Sequence, residues 1–109
     1  SNLLRKMKMF KKNKIPVVSL FISGRPLIVD SEIKYSDSFV SIWLPGTAVE
    51  GINDVIFSNI DGSRNYDFNG KLSFSWPSET SKNSLNKKDK YYNPLFEYGY
   101  GLTYKKLNE

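Results

Sequence analysis

Val17 to Ile22, VVSLFI, is apolar at five of its six positions and three of those are β-branched. A run so short, β-branched and continuously apolar predicts a strand covered on both faces, as in parallel sheets. Parallel strands need long crossovers, usually helices, so the rest of the chain must alternate between the two kinds of element. Upstream, Leu3, Leu4, Met7 and Phe10 recur at helical spacing, with Arg5, Lys6, Lys8, Lys11 and Lys12 on the other side. This spacing predicts an amphipathic helix over 3–13 with its basic face in solvent, stopped by Asn13-Lys14 and Ile15-Pro16. Helix, tight turn and strand form half of a βαβ unit whose first strand is missing or lies upstream.

Downstream the alternation continues. Asp30 or Ser31 is placed to cap a short helical turn running to about Asp37, and SFVSIWLPG is a second apolar strand ended by Pro45-Gly46. In TAVE, Thr47 and Glu50 have capping-box spacing, so a helix is expected there with Val49, Ile52, Val55, Ile56 and Phe57 facing the sheet. Asp61-Gly62 and Asn69-Gly70 are turn formers, and KLSFSW alternates so that Leu72, Phe74 and Trp76 share one side of a half-buried third strand. The expected class is α/β: part of a three-layer α/β/α sandwich with a mainly parallel sheet, in one unit of helix 3–13, core 15–77, mobile loop 78–90 and irregular tail 91–104.

The tail, YYNPLFEYGYGLTY, holds six of the sixteen aromatic residues. Rings beside Gly and Asn suit either a stacking platform for sugars or bases, or a cover over a core. Gly99 and Gly101 permit close approach of backbone to backbone, which favours the cover, with Phe96, Tyr98, Tyr100 and Leu102 buried.

The chain has neither Cys nor His. Thiolate nucleophiles, imidazole-relayed triads and most zinc sites are excluded, so acid-base chemistry would fall to carboxylates, Lys or Tyr. The net charge is +5, and six of the sixteen basic residues lie between Arg5 and Lys14, with Lys82, Lys87, Lys88 and Lys90 forming a second cluster. Neither cluster is interleaved with rings as a single-strand nucleic-acid groove requires, so both read as solvated surface and no nucleic-acid partner is expected. IPVVSLFI after a basic stretch is too short and proline-bearing for a signal peptide, and no segment nears the roughly 20 apolar residues that span a bilayer, so no membrane partner is expected.

PVVSLFISGRPL, SFVSIWLPG, FNGKLSFSWP and YNPLFEYGYGLTY, in that order and spacing, resemble the C-terminal sandwich domain of glycoside hydrolase family 3, which includes β-glucosidases and exo-acting β-glucan hydrolases. The resemblance runs from about residue 3 to 104. It implies an N-terminal (β/α)8-like barrel that carries an Asp nucleophile, and a Glu acid/base on a sandwich loop upstream of ISGRP. Both would lie outside this chain. The implied chemistry is retaining hydrolysis by two carboxyls about 5 Å apart. It implies no cofactor and no metal, a β-glucoside or gluco-oligosaccharide as substrate, the barrel as partner, and a periplasmic or secreted parent. Where the family reads close to LPGSEGG, this chain has LPGTAVEG, with Ala48 and Val49 at the departure.

No residue of the chain is therefore expected to be catalytic. Arg25 and Trp43 stand where parallel strands end, the edge at which α/β sheets bind ligands, and are the candidates for substrate contact. The competing reading gives Arg25 to loop carbonyls or a carboxylate and Trp43 to packing. Asp30, Asp54 and Asp67 have no spacing that pairs them for catalysis. The chain reads as a fragment of a β-glucosidase-type hydrolase, silent alone. The alternatives are a sugar-binding module or detached subunit that completes a separate barrel, and a polyanion binder using the basic helix. A homodimer through an exposed sheet edge is expected.

Overall fold

The structure, a computed structural model, describes residues 2–81, 88 and 92–107. The first helix, α1 (Asn2–Lys12), buries Met7, while Leu3 and Met9 are exposed, so the apolar stripe is only partly covered. It ends in a Schellman motif: Ile15 N donates to Phe10 O at 2.9 Å and Lys14 N to Lys11 O at 3.1 Å. Lys14 takes the left-handed conformation that glycine usually supplies there, at φ 56°.

Strand β1 (Val18–Ile22) follows and pairs in parallel with β2 (Ser38–Trp43). Their lower end is closed by Asp37, whose Oδ2 accepts Val17 N at 2.7 Å while its own amide donates to Val17 O at 2.8 Å. The ladder runs from Val18 opposite Ser38 to Phe21 opposite Ser41, then skips Ile42 so that Ile22 faces Trp43. This bulge leaves Trp43 at φ 54°, a strained position for a bulky ring.

The crossover between the strands contains α2 (Asp30–Lys34). Neither Asp30 nor Ser31 caps it: the N-cap is Val29, and Asp30 Oδ1 instead accepts Glu79 N at 3.1 Å. The expected capping box is likewise absent. Gly46–Ala48 forms a single 3-10 turn and α3 (Glu50–Ile56) starts after Val49, with no side-chain cap from Thr47. Ile52, Val55 and Ile56 are half-buried as expected, while Val49 and Phe57 are exposed.

The expected third strand is not one. KLSFSW contributes only an isolated antiparallel bridge, Trp76 to Phe96, because its partner is the irregular tail rather than the sheet. The tail is pinned to it by Leu72 N to Tyr100 O at 2.9 Å, Gly99 N to Leu72 O at 2.7 Å, Trp76 N to Phe96 O at 2.8 Å and Leu95 N to Trp76 O at 2.8 Å. Phe96 stacks on Tyr100 with ring centroids 4.4 Å apart, but Tyr98, Tyr100 and Leu102 are exposed rather than buried. The tail closes in the short helix α4 (Tyr104–Leu107).

Residues 82–87 and 89–91 of the expected loop and tail lie outside the described residues. Ser78 and Ser81, at the start of that loop, are buried and tied together: Ser81 Oγ donates to Ser78 O at 2.8 Å, and Ser78 Oγ to Asn93 O at 2.6 Å.

The α/β expectation holds, with helices beside one parallel strand pair. Among the described residues only Met7, Val29 and Trp76 are buried apolar side chains. The chain exposes 8551 Å², where a compact chain of its mass exposes about 6,200 Å².

Candidate functional site

At the carboxyl edge of the strand pair the aromatic side chains gather. Phe21 stacks on Phe39 at 5.6 Å between ring centroids, and Trp76 meets Phe21 edge-on at 5.9 Å. Trp43 touches both Phe74 and Trp76 at 5.7 Å, so one contiguous cluster joins the sheet to the 72–76 segment. Trp76 is 3% exposed, and its indole Nε1 donates to Leu27 O at 2.8 Å across 49 residues of sequence. A buried indole N–H needs such a partner, and this one fixes the loop after β1.

The two sequence candidates are not brought together. Trp43, half-buried, spends its ring on this cluster, which is the packing role. Arg25 lies in the bend after β1, where Ser23 Oγ donates to its carbonyl at 2.6 Å and accepts its amide at 3.2 Å. Its side chain is exposed, and no partner among the described residues reaches the guanidinium.

The opposite side of β1 is bare. Val18, Leu20 and Ile22 alternate outward at 55%, 44% and 61% exposure, while Ser19 and Phe21 between them are half-covered. The expectation of a strand buried on both faces therefore fails within this chain. Ile15, Ile28 and Leu44 are also exposed.

The basic helix is not wholly solvated either. Lys8, Lys11 and Lys34 bring their ammonium groups to 5.3, 5.8 and 5.7 Å from the Tyr35 ring centroid, and Lys11 Nζ donates to Lys34 O at 3.2 Å. Cation–π attraction offsets the mutual repulsion of three like charges.

The profile of the glycosyl hydrolase family 3 C-terminal domain matches residues 2–104. The chain belongs to glycoside hydrolase family 3. It is 30% identical over 111 residues to the periplasmic beta-glucosidase of Salmonella typhimurium, a match covering 82% of this chain and 14% of that protein. The exo-1,3/1,4-beta-glucanase of a Pseudoalteromonas species shares 50% identity over 94% of the chain at a TM-score of 0.83, and a point mutant of the same enzyme superposes at 0.82. This chain spans 13% and 16% of those two structures.

Several of its carboxylates are taken up in hydrogen bonds within the chain. Asp30 holds the Glu79 amide, and Asp54 Oδ1 accepts Asn65 Nδ2 at 3.4 Å. Asp67 Oδ1 accepts Tyr104 N at 2.8 Å and Phe68 N at 2.7 Å, while Oδ2 pairs with Arg64 at 3.5 Å. The Tyr104 amide, followed by the Phe68 amide and the Arg64 charge, holds the Asp67 carboxyl below the usual carboxylate range. Asp61 is lowered by the Ser63 hydroxyl and amide. Among the described residues, no group of His, Cys, Asp and Glu is placed to hold a metal ion, and no helix is long and apolar enough to cross a membrane.

The Asp67 geometry carries a pH prediction. A carboxylate with a lowered folded pKa stabilises fully above the unfolded value of about 3.9 and loses that contribution as pH falls through the folded value. Acidification below about pH 4 is therefore expected to free the Tyr104 amide, seen as a loss of its protection relative to the intrinsic exchange rate at each pH. Asp67→Asn keeps an acceptor without the titration and should flatten that dependence; an unchanged acid profile in this variant would assign the effect elsewhere.

Trp76 and Phe74, which the sequence placed on one side of a third strand, instead organise the aromatic cluster, and Trp76 adds its Nε1 bond to Leu27.

Proposed function

We propose that this domain is the closing portion of a β-glucosidase-type hydrolase that cleaves β-linked glucosides or gluco-oligosaccharides with retention, its nucleophile and acid/base supplied from outside these 109 residues. The bare face of β1 carries this reading. A strand whose sequence suits burial on both sides, left open at Val18, Leu20 and Ile22, needs a covering layer that the described residues do not supply. Association with an N-terminal barrel and the rest of the sandwich would cover it, and would bring a pair of carboxyls about 5 Å apart to the substrate. The beta-glucosidase and exo-glucanase relatives, each several times longer than this chain, support the same arrangement.

The isolated chain is expected to hydrolyse a chromogenic β-glucoside no faster than buffer, and the longer protein that carries it to do so readily. Turnover by the chain alone that disappears on changing one of its carboxylates would overturn the proposal. A homodimer through the open edge is the competing cover, and a light-scattering mass of one chain at high concentration would remove it.

A further inference from the structure

Asn69 and Gly70, the turn formers in FNGKL, are both exposed in irregular backbone between α3 and the 72–76 segment. An Asn followed by Gly carries a latent reaction. The main-chain nitrogen of the second residue reaches the side-chain amide carbon of the first, and glycine has no Cβ to crowd the approach.

A hydrogen bond on either group holds it away from attack. Among the described residues, neither the Asn69 side chain nor the Gly70 amide has a hydrogen-bond partner. Asp61-Gly62, which could close in the same way, is the contrast. Gly62 N donates to Asn59 O at 2.9 Å, and Asp61 Oδ1 accepts Ser63 N at 2.9 Å and Ser63 Oγ at 2.6 Å. Both of its groups are engaged, and a carboxylate is a poorer electrophile than an amide.

We infer that Asn69 is a site of self-modification: the Gly70 nitrogen attacks the Asn69 side chain in the folded protein, and the isoaspartate that follows releases the aromatic tail. Gly70 N gives up its proton and bonds to Asn69 Cγ. The Cγ–Nδ2 bond breaks and ammonia leaves with that proton, closing a five-membered succinimide. One water then opens the ring. Opening at Cγ leaves an ordinary aspartate at position 69. Opening at the main-chain carbonyl leaves isoaspartate, with the chain routed through Cβ and Cγ and longer by one atom.

The extra atom falls between two ties that hold the tail. Upstream, Asp67 Oδ1 accepts Tyr104 N at 2.8 Å; downstream, Leu72 N donates to Tyr100 O at 2.9 Å. Between them Gly70 O lies so close to the tail that a Cβ on Gly101 would overlap it. Lengthening the chain at position 69 shifts Gly70 out of register with the tail and strains both ties, while a negative charge is added.

Ageing the longer protein that carries this chain in mildly alkaline buffer, followed by peptide mapping and enzymatic methylation of isoaspartate, tests the inference. The peptide holding residue 69 should gain about 1 Da, at a rate within about threefold of that of a synthetic peptide of residues 66–73. A Cβ on Gly70 meets no atom within 4 Å, so Gly70→Ala should slow the gain about tenfold with an unchanged thermal midpoint. In the aged parent, protease should cut the tail in proportion to isoaspartate, and aged Gly70→Ala should resist. Freshly prepared Asn69→Asp, with the charge but not the extra atom, should resist as well. No mass gain at residue 69, or a gain more than about tenfold slower than in the peptide, would overturn the site. A tail that stays resistant once isoaspartate has formed, or that is already open in fresh Asn69→Asp, would overturn its release by the lengthened chain.

Discussion

Trp76→Ala is expected to unfold this domain within the protein that carries it. Truncating a buried Trp costs about 3–5 kcal/mol, against total stabilities of about 5–15 kcal/mol for whole domains. Here the indole is one of three buried apolar side chains among the described residues, and it contacts Phe21, Trp43 and Phe74 at once. Removing it leaves a cavity between the sheet and the 72–76 segment, and orphans the Leu27 carbonyl that its Nε1 satisfies. The same segment's backbone pairs with Leu95 and Phe96, so the tail should loosen with it. Loss of the near-ultraviolet aromatic signal and a collapsed thermal transition are the expected readouts. Trp76→Phe keeps a ring but loses the Nε1 bond to Leu27, and should cost roughly the 0.5–1.5 kcal/mol of one hydrogen bond. A cost for Trp76→Ala below about 1 kcal/mol, within the ordinary surface range, would show that the cluster does not organise the domain.

The strand pair and the first three helices were legible because their signals are local, whereas α4 was not foreseen. Val18–Ile22 and Ser38–Trp43 are apolar and β-branched, and α1 and α3 have 3.6-residue periodicity, so each element follows from its own residues. The caps were misread because a side chain with the right spacing had a better distant partner. Asp30 serves Glu79, 49 residues away, and Thr47 sits inside a 3-10 turn that precedes the helix it was expected to cap. The alternation in KLSFSW holds as far as Phe74, with Leu72 and Phe74 half-buried and Trp76 buried, but Ser75 is buried as well. What it could not reveal is that its hydrogen-bond partner is the tail, since pairing is a property of two segments.

Of the candidate residues, Trp43 was legible as packing, but its reason was hidden: the bulge opposite Phe21 and Ile22 turns its backbone to positive φ, so its ring joins the Phe74–Trp76 cluster. Arg25 stayed unassigned because a bend after a strand is compatible with any solvent-facing side chain. The burial of β1 was overread for a physical reason. Sequence encodes the surface a strand must cover, not what covers it, and among the described residues the outer face of Val18, Leu20 and Ile22 stays exposed.

Gly101→Ala is expected to detach the aromatic tail. A Cβ at this position would overlap the carbonyl oxygen of Gly70 and crowd Lys71 Cδ at 3.0 Å, so the worst clash is with backbone, where no side chain can yield. The tail cannot retreat cheaply, because both flanks are fixed. On one side Leu72 N donates to Tyr100 O at 2.9 Å; on the other, Tyr104 is held by Asp67 through its amide and by Val55 through its hydroxyl. Lys71 Nζ also donates to Gly101 O at 2.5 Å, drawing the two segments together at the point of overlap. Relief requires breaking at least one of these bonds, at about 1–3 kcal/mol for overpacking or more if the Phe96–Tyr100 stack separates. Gly99→Ala meets no atom but must hold φ 83°, which costs roughly 1–2 kcal/mol. Gly51→Ala, inside α3 with nothing within 4 Å, should instead stabilise by up to about 1 kcal/mol. Thermal unfolding with limited proteolysis across the tail would rank the three variants. A Gly101→Ala protein whose tail stays protease-resistant and whose midpoint matches the parent would refute the close approach as the reason for glycine in this part of the tail.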